Sequence, residues 1–291
     1  MKPAVKAFFD KSTSTLTYVT YDPQSRDGVV LDPVWDYDPA TSKLTPESVN
    51  AALEFIRENK LKIHYILETH AHADHVSGAQ LLRERLPSSK VAIGASIQEV
   101  QRTFRDVFNL DPAFPVDGRQ FDELVKEGSP VRAGTLEIGT ISTPGHTPAC
   151  SSYLIGDCLF TGDTLFMPDC GTGRCDFPAG SADHLYTSVH EKLYKLPDET
   201  RVFVGHDYQP GGRPLAFEST IGEQKRANVH LKESTSRDQF VSFRMERDKT
   251  LSAPRLLLPS IQLNIRAGRL PEAESNGTCY LKIPLILQAG R

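Results

Sequence analysis

Short apolar runs that stop abruptly at polar residues set the pattern of the first two thirds of this chain. Residues 4–9, 16–21 and 28–32 are rich in Val, Phe, Tyr and Thr and are parted by Asp, Pro, Ser and Gly, which reads as strands joined by turns. Thr45-Pro46-Glu47 predicts a helix start, with a capping hydroxyl, proline at the first helical position and an acid in the first turn. Val49, Leu53 and Ile56 then share one helical face. Beyond it, residues 63–67 run into Glu68-Thr69-His70, and residues 136–142 into Pro144-Gly145-His146. Runs 152–155 and 158–160 lead to Gly162-Asp163, and run 202–204 to Gly205-His206. Helical stretches cover 78–86, 96–108 and 183–196. The alternation predicts an α/β (α+β) chain of helix-covered sheets, with polar groups gathered at strand ends, where rigid backbone holds loop side chains in place.

The pattern changes at residue 219. Residues 219–249 read as one or two charged helices with Phe240 and Phe243 on a buried side. Prolines at 254, 259, 271 and 284 interrupt the stretch 254–287, in which 261–265 and 280–283 look extended. The expectation is a domain over 1–218 and a C-terminal basic helical and extended segment over 219–291 packed on it. Charge follows the same division: the last section carries 12 Lys/Arg against 7 Asp/Glu, a balance of +5 within a chain whose net charge is −4. The acidic whole argues against a nucleic-acid binder. The basic section is either a solvated face or a seat for a small anion.

An apolar share of 39% supplies a core and excludes disorder as the main state. No run approaches the roughly 18–20 apolar residues that cross a bilayer. The opening MKPAVKAFFD lacks a signal-type apolar centre, so the expectation is a cytoplasmic protein without membrane contact. Five cysteines without a Cys-x-x-Cys pair point to free thiols, not to a disulfide framework or a zinc ribbon.

Nine histidines are present, and five lie in the strand-end segments: His70, His72 and His75 in THAHADH, His146 in TPGHT, and His206 in VGHDY. Asp74 and Asp163 accompany them; His64, His184, His190 and His230 are scattered and read as surface or core residues. Imidazoles and carboxylates gathered this way suit a transition metal, and one loop carrying four of them can line two adjacent sites. The whole set, in this order, resembles the metallo-β-lactamase superfamily across about residues 10–210. That resemblance implies an αββα sandwich with the metal site at one edge of the sheets. In two-metal hydrolases of the superfamily, one ion would take His70, His72 and His146, and the other Asp74, His75 and His206, with Asp163 bridging.

Cys170-Gly171-Thr172-Gly173-Arg174-Cys175-Asp176-Phe177, following Thr161-Gly162-Asp163, resembles the persulfide dioxygenases, and LYTSVHEKLYKL (185–196) is similar to the helix that follows there. The tail LLLPSIQLNIRAGRLP (256–271) resembles a longer bacterial subgroup of them. This resemblance implies one Fe(II) per chain held by His70, His146 and Asp163, with His72, Asp74, His75 and His206 orienting and tuning the site. It implies oxidation of glutathione persulfide by O2 to sulfite and glutathione. Spacing alone leaves two zinc ions open, and with them a glyoxalase II-type hydrolase of glutathione thioesters. Tyr208 is expected to contact the tripeptide, with Lys225 and Arg226 as further candidates; Arg174 either binds substrate or braces the loop through Asp176. Cys175, which departs from the family pattern, is either a reactive thiol or a packing residue. A homodimer is an open option.

Overall fold

The computed structural model describes residues 2–285. The short apolar runs build two sheets facing each other. The first comprises β1 (Ala4–Asp10), β2 (Thr15–Tyr21), β3 (Asp27–Leu31), β6 (Lys62–Glu68), β8 (Lys90–Gly94) and β9 (Glu123–Val125), in that spatial order. The chain enters it antiparallel and continues in parallel from β3 onward. A small sheet of β4 (Val34–Asp38), β5 (Lys43–Thr45) and β7 (Val76–Ser77) sits beside it. The second large sheet runs β10 (Val131–Ala133), β11 (Leu136–Ser142), β12 (Ser151–Ile155), β13 (Cys158–Phe160), β14 (Arg201–Phe203) and β15 (Glu218–Thr220). Only its β13/β14 pair is parallel.

Period-two alternation decides which side chains meet. Leu16, Tyr18, Val29, Leu31 and Leu67 face the second sheet and pack with Ile138, Tyr153, Phe160 and Phe203. Val19, Val30, Ile66 and Val91 point the other way, against α1 (Glu47–Glu58), α2 (Ala79–Arg85) and α3 (Ile97–Val107). The outer face of the second sheet is covered by α4 (Ala182–Thr187), which continues through a wide π turn over Ser188–Lys192, and by α5 (Ile221–Ala227) and α6 (Arg237–Asp248). Both sheets are thus buried on both faces, and the layers run αββα as expected. No helix among the described residues is long and apolar enough to cross a membrane.

Four local expectations change. Residues 261–265 are not extended: Leu257–Asn264 form α7, because Pro259 falls in its first turn, where no intrahelical donor is required of it. Residues 280–283 pair with no strand; Lys282 instead gives its amide to Gln262 Oε1. Residues 286 and 287 of that stretch lie outside the described residues. Phe240 is buried but Phe243 is exposed and lies against His230. At the start of α1, Thr45 supplies no cap; Asp36 of β4 accepts from the Ser48 amide at 2.9 Å and its hydroxyl at 2.7 Å. The expected division at 218/219 falls within β15, which pairs with β14 of the second sheet.

Candidate metal centre

The four strand-end segments converge at one edge of the sandwich. Leaving β6, the chain turns at Thr69, whose amide and hydroxyl are both held by the Asp32 carboxylate at 2.7 and 2.8 Å. That anchor fixes the loop bearing His70, His72, Asp74 and His75. Past β11, Gly145 has a φ of +154°, and a Cβ there would run into the backbone of Leu185 on α4, so only glycine brings His146 to the edge. Asp163 follows β13 and His206 follows β14.

Hydrogen bonds then set which ring nitrogen each histidine presents. His146 Nδ1 donates to the Arg174 carbonyl at 2.6 Å, and His206 Nδ1 to the Ser14 carbonyl at 3.1 Å, leaving Nε2 of each turned to the centre. There His146 Nε2 lies 3.5 Å and His70 Nε2 3.9 Å from Asp163 Oδ2. On the other oxygen, His206 Nε2 is 3.3 Å from Asp163 Oδ1 and 3.4 Å from Asp74 Oδ2. His70, His146 and Asp163 therefore form one set of converging donors, and Asp74, Asp163 and His206 a second, each with its donor atoms within 4.8 Å. His70 Nε2, His75 Nε2 and Asp163 Oδ1 are buried without any hydrogen-bond partner. Orphaned imidazole nitrogens beside an orphaned carboxylate oxygen are costly unless a cation completes them, so this donor set fits a transition metal.

The family model of the metallo-β-lactamase superfamily matches residues 14–206. The chain belongs to this superfamily. Over 285 residues it is 47% identical to "Glyoxylase B2" of Dictyostelium discoideum, covering 98% of this chain and 97% of that one. Over 266 residues it is 31% identical to the mitochondrial "Persulfide dioxygenase ETHE1" of Homo sapiens, covering 91% and 88%. The crystal structure of ETHE1 from Myxococcus xanthus shares the fold with a TM-score of 0.72 at 32% identity, over 91% of this chain and 100% of that one. As a superfamily member with the His/Asp cluster assembled, the protein is a metal-binding enzyme of the hydrolase or dioxygenase kind.

Within this superfamily site, His72 is placed differently from its neighbours. Its Nε2 sits between Asp32 Oδ1 at 3.0 Å and Glu68 Oε2 at 3.1 Å. Burial alone would neutralise the ring, but the two carboxylates hold its pKa well above the ordinary value. His70 shows the opposite: burial, together with the nearby His72 and His146, keeps it well below, in the neutral form that ligates metals. Burial works against ionisation of Asp74, yet His206 and His75 outweigh it and hold the carboxyl well below its usual range. Asp32 and Glu68 were not singled out in the sequence; a carboxylate closing an apolar strand was the signal available for both.

A cleft of about 500 Å³ opens from Asp163 and His146 toward the C-terminal segment. Tyr208 lines it, stacked on His206 with ring centres 5.6 Å apart. Arg174 lines it too, but its guanidinium is bound to both Asp176 oxygens and to the Ser252 carbonyl, so it braces the loop. Lys225 and Arg226 are not among the lining residues; Lys225 pairs with Asp198 at 2.6 Å. The structure does not bring this expected pair to the cleft. The basic groups it brings instead are Arg244, Arg247, Arg255 and His230. Arg244 is buried in an ion pair with Asp248, whereas Arg247 and Arg255 have no ion-pair partner among the described residues. His230 accepts the Thr172 amide on Nδ1 at 3.1 Å, which puts its ring proton on Nε2. Cys175 is buried, and burial pushes its thiol far up, so it packs and does not react.

Proposed function

We propose that the protein is a glutathione-dependent persulfide dioxygenase with one Fe(II) held by His70, His146 and Asp163. The observation that carries this reading is the seat of the 170–177 segment. Its Arg174 carbonyl orients the His146 ring, and Phe177 lies over that ring at 6.2 Å. The residues that resemble the dioxygenases are therefore the ones that shape the metal ligand. Two imidazoles and one carboxylate form the facial set of non-haem Fe(II) oxygenases, with positions left open for substrate and O2. The relatives named persulfide dioxygenase and ETHE1 support the same reading.

Iron, when bound, supplies the redox chemistry by which glutathione persulfide, O2 and water become glutathione, sulfite and two protons. The chain supplies orientation. His146 is locked with Nε2 as the ligating atom, and Asp163 contributes an anionic ligand from a strand end. Tyr208 and the His230 Nε2–H offer donors in the cleft lining, and Arg247 and Arg255 in the same lining match a tripeptide with a carboxylate at each end. Phe166 lines the cleft with its ring edge-on to Tyr208 and His206.

A second reading, a glyoxalase II-type hydrolase of glutathione thioesters, is favoured by the additional set Asp74, Asp163 and His206, which fits a second ion, and by the relative named glyoxylase. Metal analysis of anaerobically purified protein separates the two, together with O2 uptake on glutathione persulfide and thiol release from a glutathione thioester. About one iron per chain with O2 uptake is expected. Two filled zinc sites with thioester turnover and no O2 uptake would overturn the dioxygenase reading.

A further inference from the structure

The C-terminal segment reaches the metal loop through one buried side chain. Asn264, the last residue of α7, gives its two amide hydrogens to the carbonyls of His72 and His75, both at 2.8 Å. Its Oδ1 accepts the Ser77 amide at 2.9 Å. The loop from Thr69 to His75 has no regular structure, and a buried peptide group without a partner is costly. Asn264 thus does for this loop what a neighbouring strand would do, across 187 to 192 residues of sequence. Its own position is fixed from both sides. Gln101 of α3 donates to the carbonyl of the next residue, Ile265, at 3.0 Å. Three residues further on, Gly268 at a φ of +80° packs so closely on the Ser77 carbonyl that a Cβ would lie 2.7 Å from its oxygen.

We propose that Asn264 is a positioning residue for the metal centre, through which α7 sets the geometry of the His70–His75 loop. The two carbonyls it holds belong to the loop that carries His70, and His72 and His75 gather there with Asp74 in one cluster of donor atoms within 4.8 Å. Rotation of either peptide would swing an imidazole away. The carboxamide is matched to the task because both its hydrogens are used at once; a carboxylate of the same shape would oppose two carbonyl oxygens with no hydrogens to give. The proposal depends on the metal centre alone and holds whether the site oxygenates or hydrolyses.

The test uses the full chain, stripped of metal and titrated with Co(II), whose visible spectrum reports coordination geometry. Asn264→Asp should weaken Co(II) binding by about 10- to 100-fold, the range for groups that hold ligands in place, and alter the spectrum. The control is Gln262→Ala, on the same helix, which loses contacts to Leu258 and Lys282 but none to the loop. It should bind Co(II) as the wild type does, with the same spectrum. Wild-type affinity and spectrum in Asn264→Asp, or equal weakening in both variants, would overturn the proposal. Should Asn264→Asp not fold, hydrogen exchange of the wild type decides. By linkage, Co(II) should slow exchange of the Ser77 amide and of the last turn of α7 at least about tenfold; equal rates with and without the metal would count against it.

Discussion

At the scale of single residues, the centre divides its histidines by what their second nitrogen meets. His146 gives its spare N–H to a backbone carbonyl, while His72 lies between Asp32 and Glu68. Truncating them should therefore have different consequences. His72→Ala leaves two buried carboxylates facing each other without a cation, a loss of the order of 3–5 kcal/mol. His146→Ala should abolish tight metal binding yet leave the metal-free fold close to wild-type stability. Denaturant unfolding of the stripped proteins, with metal content after reloading, checks both; a stable metal-free His72→Ala would refute the first.

His230 carries a prediction of its own. Burial, with Arg244 and Arg247 nearby, lowers its pKa to about 4. Between the ordinary value near 6.5 and about 4, the unfolded chain binds a proton here that the folded chain does not. Stability should accordingly fall as the pH is lowered through that window, and this contribution should be constant above it. His230→Asn keeps an acceptor for the Thr172 amide and should flatten the decline, measured as the difference in unfolding free energy between pH 7 and pH 5 for variant and wild type.

At the scale of elements, every proposed ligand stands just past the end of a strand, and the helices decide how close the strand-end loops approach. α4 packs on Gly145 so tightly that no Cβ is admitted, and the Ser181 amide before α4 donates to the Gly145 carbonyl at 2.8 Å. Gly145→Ala should cost about 1–3 kcal/mol through overpacking, and His146 should move because the displaced backbone is its own. Reduced metal content with α-helical circular dichroism retained is the expected result. α7 plays the corresponding part for the His70–His75 loop, and it does so as a helix because its proline occupies the first turn.

At the scale of the whole molecule, the cleft is lined by residues from both ends of the chain: Ser12, Thr13 and Ser14 from the turn between the first strands and Arg247, Leu251 and Arg255 from the C-terminal segment. An anionic substrate bound in this cleft shares it with the two arginines. Both are exposed, so each contact is screened and worth about 1 kcal/mol, roughly a fivefold rise in KM for Arg247→Ala or Arg255→Ala. Metal content should not change, and added salt should raise KM more in the wild type than in the variants. Lys225→Ala and Arg226→Ala, which lie off the cleft, should leave KM unaltered. A large KM effect from that pair would place the substrate elsewhere.

What the amino-acid sequence determined by itself was whatever depends on neighbours along the chain. The apolar runs of β2, β3 and β6, the helical face of Val49, Leu53 and Ile56, and the polar residues at strand ends were all legible, because strands buried on both faces read as continuous apolar runs and an amphipathic helix imposes its own period. The His and Asp set was legible for a related reason: four of its members share one short loop. The partners of those residues were not. Asp32 meets the site because β3 lies beside β6 in the sheet, and Asn264, His230 and Arg247 because the C-terminal segment folds back to the metal loop and the cleft. No local period marks such residues, and a basic run at 225–226 is indistinguishable in composition from one that faces the cleft. Tertiary structure alone decided which charge is spent on a neighbour, as Lys225 is on Asp198, and which is left to meet a ligand.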